Sequence, residues 1–171
     1  EIGDQCWFAE NCRYLPEVSL ASENSTAEPR AYVMNFNGQD LDSARYQMAF
    51  RAHGVLYNFK ALVEWPVCPT GYHVASSSDW GELESYVSSI DVPSAIYAQE
   101  ANYSGLGISF AGKKGFNGFE DEGHMTKYWL GDWETGFPDN YPTIRFNHDS
   151  WFSSFVDLES YGLSIRCIKD Q

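Results

Sequence analysis

The densest run of residues able to do chemistry lies late in the chain. Between Asp132 and Ser160, Trp133, Phe137, Tyr141, Phe146, Trp151, Phe152 and Phe155 alternate with Asp, Asn, His, Ser and Arg. Aromatic rings beside polar side chains suit a carbohydrate face or a protein hot spot, because they offer large contact area at low entropy cost. On short strands with long connections about half of such side chains face outward. Trp133, Tyr141, Arg145, Asn147, His148, Asp149, Trp151 and Ser153 are the expected ligand-contacting residues, and Ile144, Val156, Leu158 and Ile165 are expected in the core. The competing reading is that the same aromatics only pack a small β-rich domain.

Catalytic chemistry has weaker footing. The four histidines, His53, His73, His124 and His148, show no HxxxH or HExxH spacing. Gly162-Leu163-Ser164-Ile165 lacks the second glycine of a nucleophile elbow and falls where a strand is expected. His73 reads as a hydrogen-bonded structural residue. Paired carboxylates for glycoside hydrolysis are defined by spatial separation, which spacing along a chain does not give. No catalytic residue is assigned, and the expectation is a non-catalytic protein.

Four cysteines, Cys6, Cys12, Cys68 and Cys167, form no CxxC pair, which leaves zinc knuckles and thioredoxin-like redox motifs unsupported. Two disulfides in an oxidising compartment are expected, with three connectivities open. Cys6–Cys12 would be local and Cys68–Cys167 would tie the middle of the chain to its end. Four free buried thiols are the alternative.

Charge and composition narrow the partners. Eleven Lys and Arg against 24 Asp and Glu leave a net charge of −13. That balance argues against nucleic acid and anionic lipid, both of which need clustered cations. Hydrophobic content of 43% supports a packed core and excludes global disorder. No window approaches the roughly 18 apolar residues of a membrane span, so no membrane insertion is expected. The opening Glu1-Ile2-Gly3, without Met, reads as a mature or trimmed chain.

The elements that must hold the late aromatic stretch are two helices and a set of short strands. Cys6-Trp7-Phe8-Ala9 is strand-like, and residues 17–30 read as a surface loop. Tyr32 to Phe36 alternates into the turn signal Asn37-Gly38. Leu56 to Val63 reads as a short helix with Phe59, Leu62 and Val63 on one face, closed by Pro66 and Pro69. A second helix is expected over about 78–89, with Ser76-Ser77-Ser78 at its start, Asp79 and Glu82 in the favourable field of its dipole, and Trp80, Leu83 and Val87 on one stripe. Thr143 to Phe146, Phe152 to Leu158 and Leu163 to Ile168 are the closing strands, the last with Leu163, Ile165 and Cys167 inward. One α+β domain over residues 1–171 is expected. Asn24-Ser25-Thr26 and Asn102-Tyr103-Ser104 match the glycosylation sequon.

Five segments in order resemble the Fibrobacter succinogenes major paralogous domain. Ile2 to Asn11 resembles its IGxQxWMAENL opening, Gly54 to Phe59 its YGRLYNW segment, and Cys68-Pro69-Thr70-Gly71-Tyr72-His73-Val74 its CPxGWHLPS motif. Lys127 to Glu134 is similar to its YWSSTE strand, and Gly162 to Asp170 to its terminal GFSVRCVKD. Tyr72 departs from the usual Trp and Val74-Ala75 from Leu-Pro. Cys6 and Cys12 stand where the family has aliphatic residues, which adds to the expectation that they pair.

The resemblance implies a C-type-lectin-like fold: small twisted antiparallel β-sheets, two flanking helices and long loops. It implies a secreted, surface-displayed or virion-borne protein that recognises a glycan or protein ligand through its C-terminal β face. A subunit of an extracellular or virion fibre, which would self-associate, is the alternative, and an enzyme on the same scaffold a third. Lectins of this fold hold calcium through Glu-Pro-Asn or Gln-Pro-Asp plus Trp-Asn-Asp. Here Phe137-Pro138-Asp139-Asn140 lacks the leading acid or amide, and Asn147-His148-Asp149 is a loose echo. No cofactor is expected beyond that degenerate calcium candidate. Glu120-Asp121-Glu122 reads as a solvated acidic face.

Overall fold

The computed structural model describes residues 1–90, 106–132, 140–147 and 153–171. The chain enters as an extended segment laid against its own C-terminal end. Lys169 N donates to Cys6 O at 2.9 Å, Phe8 N to Cys167 O at 3.0 Å, and Cys12 N to Ile165 O at 2.9 Å. Residues 17–30 then form a loop pinned by Asn58, whose amide donates to Ser25 O and Glu28 O and whose Oδ1 accepts from Arg30 N.

Strand β1 (Ala31–Tyr32) pairs antiparallel with β2 (Leu56–Tyr57). Between them lie two one-and-a-half-turn helices that the alternating pattern does not announce, α1 (Leu41–Tyr46), capped by Asp40, and α2 (Met48–His53). Helix α2 stops at Gly54, where φ is 74° and a Cβ would sit 2.7 Å from Cys12 O. Only glycine meets both demands. The helix expected from Leu56 onwards starts later: Leu56 and Tyr57 are strand, Asn58 caps Ala61 N, and α3 runs over Phe59–Glu64. Phe59 and Leu62 are buried as expected, whereas Val63 is exposed.

Strand β3 (Tyr72–Val74) leads into α4 (Ser77–Ser89), the helix expected over about 78–89, whose start is closed by a capping box between Ser76 and Asp79. Trp80, Leu83 and Val87 form its buried stripe. A hairpin of β4 (Lys113–Gly115) and β5 (Gly118–Glu120) precedes a three-stranded antiparallel sheet of β6 (Met125–Trp129), β7 (Asn140–Asn147) and β8 (Ser153–Leu158), with β7 in the middle. Strand β9 (Cys167–Lys169) returns to pair antiparallel with β3. The architecture is α+β, with small antiparallel sheets and short helices.

Neighbouring residues of β6 face opposite ways and serve two apolar clusters. Trp129 packs with Tyr57, Phe59, Leu163 and Ile165. Tyr128 packs with Trp80, Ile144, Phe146 and Ile168. Trp80 is the hub of the second cluster, with ring centroids 4.5 Å from Trp7, 5.4 Å from Tyr128 and 5.3 Å from Phe146. Among the described residues no helix is long and apolar enough to cross a membrane.

Cys68 and Cys167 form the expected disulfide, with Cα atoms 5.8 Å apart and a sequence separation of 99. The expected Cys6–Cys12 bond is absent, and both thiols are free. Cys6 and Cys12 are anchored separately, Cys6 O accepting from Lys169 N and Cys12 N donating to Ile165 O, and the bends at Ala9 and Glu10 between them do not join the two thiols. Cys12 points inward instead. Its thiol lies 2.8 Å from Val67 O and accepts from the Tyr57 hydroxyl at 3.2 Å, and burial raises its pKa.

His73 is structural, as expected. Nδ1 lies 2.8 Å from Asp170 and Nε2 3.1 Å from Asp79, so one imidazole joins β3 to the α4 cap and to the chain end. Burial alone would lower its pKa, but hydrogen bonds and charge from Asp170 and Asp79 outweigh it and raise the pKa above 6.5.

Three outcomes are expected. Thiol titration of unfolded, unreduced protein should count two free thiols, and Cys167→Ser should cost about 4 kcal/mol in urea unfolding. Because folding raises the His73 pKa, its stabilisation is complete below about pH 6.5 and fades as pH rises through the folded value. Urea midpoints should therefore drop less between about pH 6 and about pH 8.5 in His73→Gln than in the natural chain.

Candidate functional site

The register of the three-stranded sheet sorts its side chains cleanly. Lys127 pairs with Arg145, Trp129 with Thr143, Thr143 with Phe155, Arg145 with Ser153 and Tyr141 with Asp157. By the two-residue period these residues, with Asn147, share one face. Thr126, Tyr128, Pro142, Ile144, Phe146, Ser154, Val156 and Leu158 share the other.

The first face runs from a closed end to an open end. At the closed end Trp129 and Thr143 are fully buried. Tyr141 stacks on Phe59 with centroids 3.5 Å apart and planes 15° from parallel. The expectation that Tyr141 points into solvent is therefore corrected: the ring is half-buried and braces the sheet against α3.

A charged floor lies in the middle. Lys127 Nζ donates to both oxygens of Asp157 at 2.7 Å, and Thr143 Oγ1 donates to Asp157 Oδ2 at 2.7 Å. The Lys127 and Asp157 side chains are only 10% and 5% exposed, so each charge depends on the other.

The open end is an arginine on an aromatic ring. The Arg145 guanidinium lies 4.1 Å from the Phe155 ring centroid, and Lys127 Nζ lies 5.2 Å from it. Phe155 is 36% exposed, and Arg145 and Asn147 are half-buried. Among the described residues Arg145 has no carboxylate partner, and its Nε is buried without a hydrogen bond. The planar guanidinium is thus stacked on the ring, and among the described residues no hydrogen-bond partner of its N–H fork is seen.

Of the expected contact residues, Arg145 and Asn147 share this face with Tyr141. Ser153 pairs with Arg145 through the backbone, its side chain being outside the description. Trp133, His148, Asp149 and Trp151 lie outside the described residues, as do Phe137, Pro138 and Asp139 of the calcium candidate. Lys127, Thr143, Phe155 and Asp157 complete the face without having been expected there. A period of two through Phe155-Val156-Asp157-Leu158 puts Phe155 and Asp157 on one face and Val156 and Leu158 on the other, but spacing does not say which face is covered, since Tyr128 and Trp129 of β6 are both buried.

The core expectation for β8 is likewise corrected. Ile144 and Ile165 are buried, but Val156 is 54% exposed and Leu158 42%. Both lie on Ile144's face of the sheet, yet β8 is the outermost strand and runs beyond the cover that Trp80 gives to β6 and β7.

A family model for the Fibrobacter succinogenes major domain matches residues 1–169. The chain belongs to that family. No curated protein and no solved structure gives a significant match. The matched span takes in the entry segment, the disulfide, α4, the sheet and β9, so the face described above lies within the Fibrobacter succinogenes major domain.

Elsewhere in the domain, Glu122 accepts from Asn35 and lies 3.2 Å from His53 Nε2, which makes the acidic loop a partner of two other elements and not only a solvated face. Among the described residues no three His, Cys, Asp or Glu side chains are grouped as a metal site would require. A groove of about 360 Å³ lined by Phe8, Asn11, Cys12, Tyr14, Pro66 and Pro69 opens beside the entry segment.

Asp157→Ala strands the buried Lys127 charge and is expected to cost about 3–5 kcal/mol. Arg145→Ala removes one stacked, unpaired cation and should cost under about 1 kcal/mol. Chemical denaturation of the two variants side by side checks the division into floor and contact surface.

Proposed function

We propose that this domain is a non-catalytic recognition module on a C-type-lectin-like scaffold, displayed outside the cell or on a virion, that binds a glycan or protein ligand through the open end of the β6–β7–β8 face. The observation that carries this reading is Arg145, stacked on a partly exposed Phe155 and without a carboxylate partner among the described residues. A ring backing a rigid guanidinium offers apolar area and directed donors in one place, with little side-chain entropy left to lose on binding. The ion pair of Lys127 with Asp157 beneath it fixes Phe155 and contributes no net charge. The disulfide fits an oxidising compartment.

A second reading has its own observation. Val156 and Leu158 lie exposed on the opposite face of the outermost strand. Apolar side chains there suit burial against another copy, as in a fibre subunit, and a strand edge with no partner among the described residues favours such association.

The test is a glycan array and a panel of extracellular protein extracts screened with the natural domain, with calcium and with EDTA, beside mass measurement over a concentration series. Binding lost in Arg145→Ala and Phe155→Ala, both still folded, supports the recognition module. Calcium-dependent hits would bring in the Pro138-Asp139-Asn140 segment. Self-association abolished by Val156→Lys, with no ligand bound, would replace this reading with the fibre subunit.

A further inference from the structure

Away from the sheet face, the β4–β5 hairpin carries an unusual lysine. Lys114 is 0% exposed, and among the described residues no carboxylate pairs with it. Its Nζ donates to Asn24 Oδ1 and, at 3.1 Å, to Glu23 O, and lies 4.9 Å from the ring centroid of the fully buried Tyr32. A lysine ammonium with only neutral acceptors and an aromatic ring around it is poorly solvated, and burial pushes its pKa down to about 8. A substantial neutral fraction is therefore present in mildly alkaline solution, and a neutral, desolvated lysine is a nucleophile.

Both reactants are held. The Lys114 backbone exchanges two hydrogen bonds of 2.8 Å with Gly162, and a Cβ on Gly162 would lie 2.9 Å from Lys114 Cβ, so the lysine stem has nowhere to retreat. At the other end, Glu23 O accepts from the Tyr32 hydroxyl at 2.7 Å as well as from Lys114. The Asn24 amide nitrogen donates to Phe116 O at 3.3 Å and to Ser22 O at 3.5 Å. The carboxamide is thus fixed through both its oxygen and its nitrogen, with the amine against it. Such fixed proximity replaces the encounter that a slow amide exchange would otherwise require.

We infer that Lys114 and Asn24 form an intramolecular amide cross-link between the β4–β5 hairpin and the loop of residues 17–30. Neutral Nζ attacks Asn24 Cγ. The Nζ–Cγ bond forms, the Cγ–Nδ2 bond breaks, one Nζ proton passes to Nδ2, and ammonia leaves. No electrons are transferred and no co-reactant is consumed. Asn24 is exposed on its outer side, so solvent water relays the proton and removes the ammonia. The product joins positions 24 and 114 by a bond that reduction does not break, independent of the Cys68–Cys167 disulfide and of the proposed ligand face.

Intact-mass measurement of the reduced chain after incubation at mildly alkaline pH tests this. The expected mass is one ammonia below the sequence mass, with a branched proteolytic peptide joining residue 24 to residue 114. The product should accumulate about tenfold faster per pH unit below pH 8, as the amine loses its proton. Asn24→Ala, a change on an exposed loop, and Lys114→Arg, which keeps the cation, should each show the full mass and no branched peptide. Full mass and separate peptides in the natural chain overturn the inference. So does an ammonia deficit without a branched peptide that persists in Lys114→Arg, which would mark cyclisation of an asparagine onto its own backbone, a reaction open to Asn24 and to the Asn37-Gly38 and Asn117-Gly118 pairs.

Discussion

Everything in this fold that positions the sheet passes through Arg166. Its side chain is fully buried, and its guanidinium donates to Phe8 O at 2.9 Å, to Gly107 O at 3.1 Å, to Leu106 O, and to Asn11 Oδ1 at 2.7 Å, with the Tyr128 hydroxyl 3.3 Å away. Among the described residues no carboxylate pairs with this buried cation, which is tolerable only where neutral oxygens replace its water shell, and here the oxygens come from three stretches of chain besides its own. The entry segment, the stretch at 106–107, β6 and the terminal strand must therefore all be in place at once. Asn11 extends the network, accepting from Tyr128 and donating to His53 O.

The Cys68–Cys167 disulfide acts one residue further on, clamping the start of β3 to β9 while Ala75 N bonds to Arg166 O. The two constraints differ in kind. The disulfide limits the unfolded chain, whereas the arginine network rewards a single native arrangement. Between them they fix Tyr128, and the next residue of β6, Trp129, is then directed into the other cluster, with its indole N–H on Tyr57 O at 2.7 Å. Lys127 follows on the same face as Trp129, which places its ammonium beneath Phe155. The placement of this sheet face is set by the core beneath it.

Much of the framework was legible in residue spacing. The Trp80, Leu83 and Val87 stripe and the Ser76 cap define α4 locally, because helix periodicity and capping involve neighbours a few residues apart. Leu163, Ile165 and Cys167 point inward as a two-residue period requires. The short helices α1 and α2 were not legible, since six-residue helices carry too little periodicity to stand apart from loop sequence. Cys6 and Cys12 misled for a related reason: closeness in sequence implies pairing only if the chain folds back between them, and here Cys6 O is bonded to Lys169 N and Cys12 N to Ile165 O, partners far along the chain that anchor the two positions separately. For the candidate site, Arg145 and Asn147 could be placed on one face from spacing, but Tyr141, on that same face, meets Phe59 and not solvent.

What the sequence determined by itself was therefore local or compositional: an α+β chain with a capped amphipathic helix, alternating late strands rich in aromatic and polar residues, a charge balance hostile to nucleic acid, and motifs sufficient to mark its family. Tertiary structure alone decided which face of β8 is covered, since Val156 and Asp157 differ by one step in register and only the strand's outermost place leaves the valine exposed and the aspartate buried on Lys127. It alone decided that Lys114 meets Asn24 and that Cys12 meets Tyr57. Each of these pairings joins side chains distant in sequence, and their energies depend on burial and on the partner brought alongside, quantities that a linear pattern does not contain.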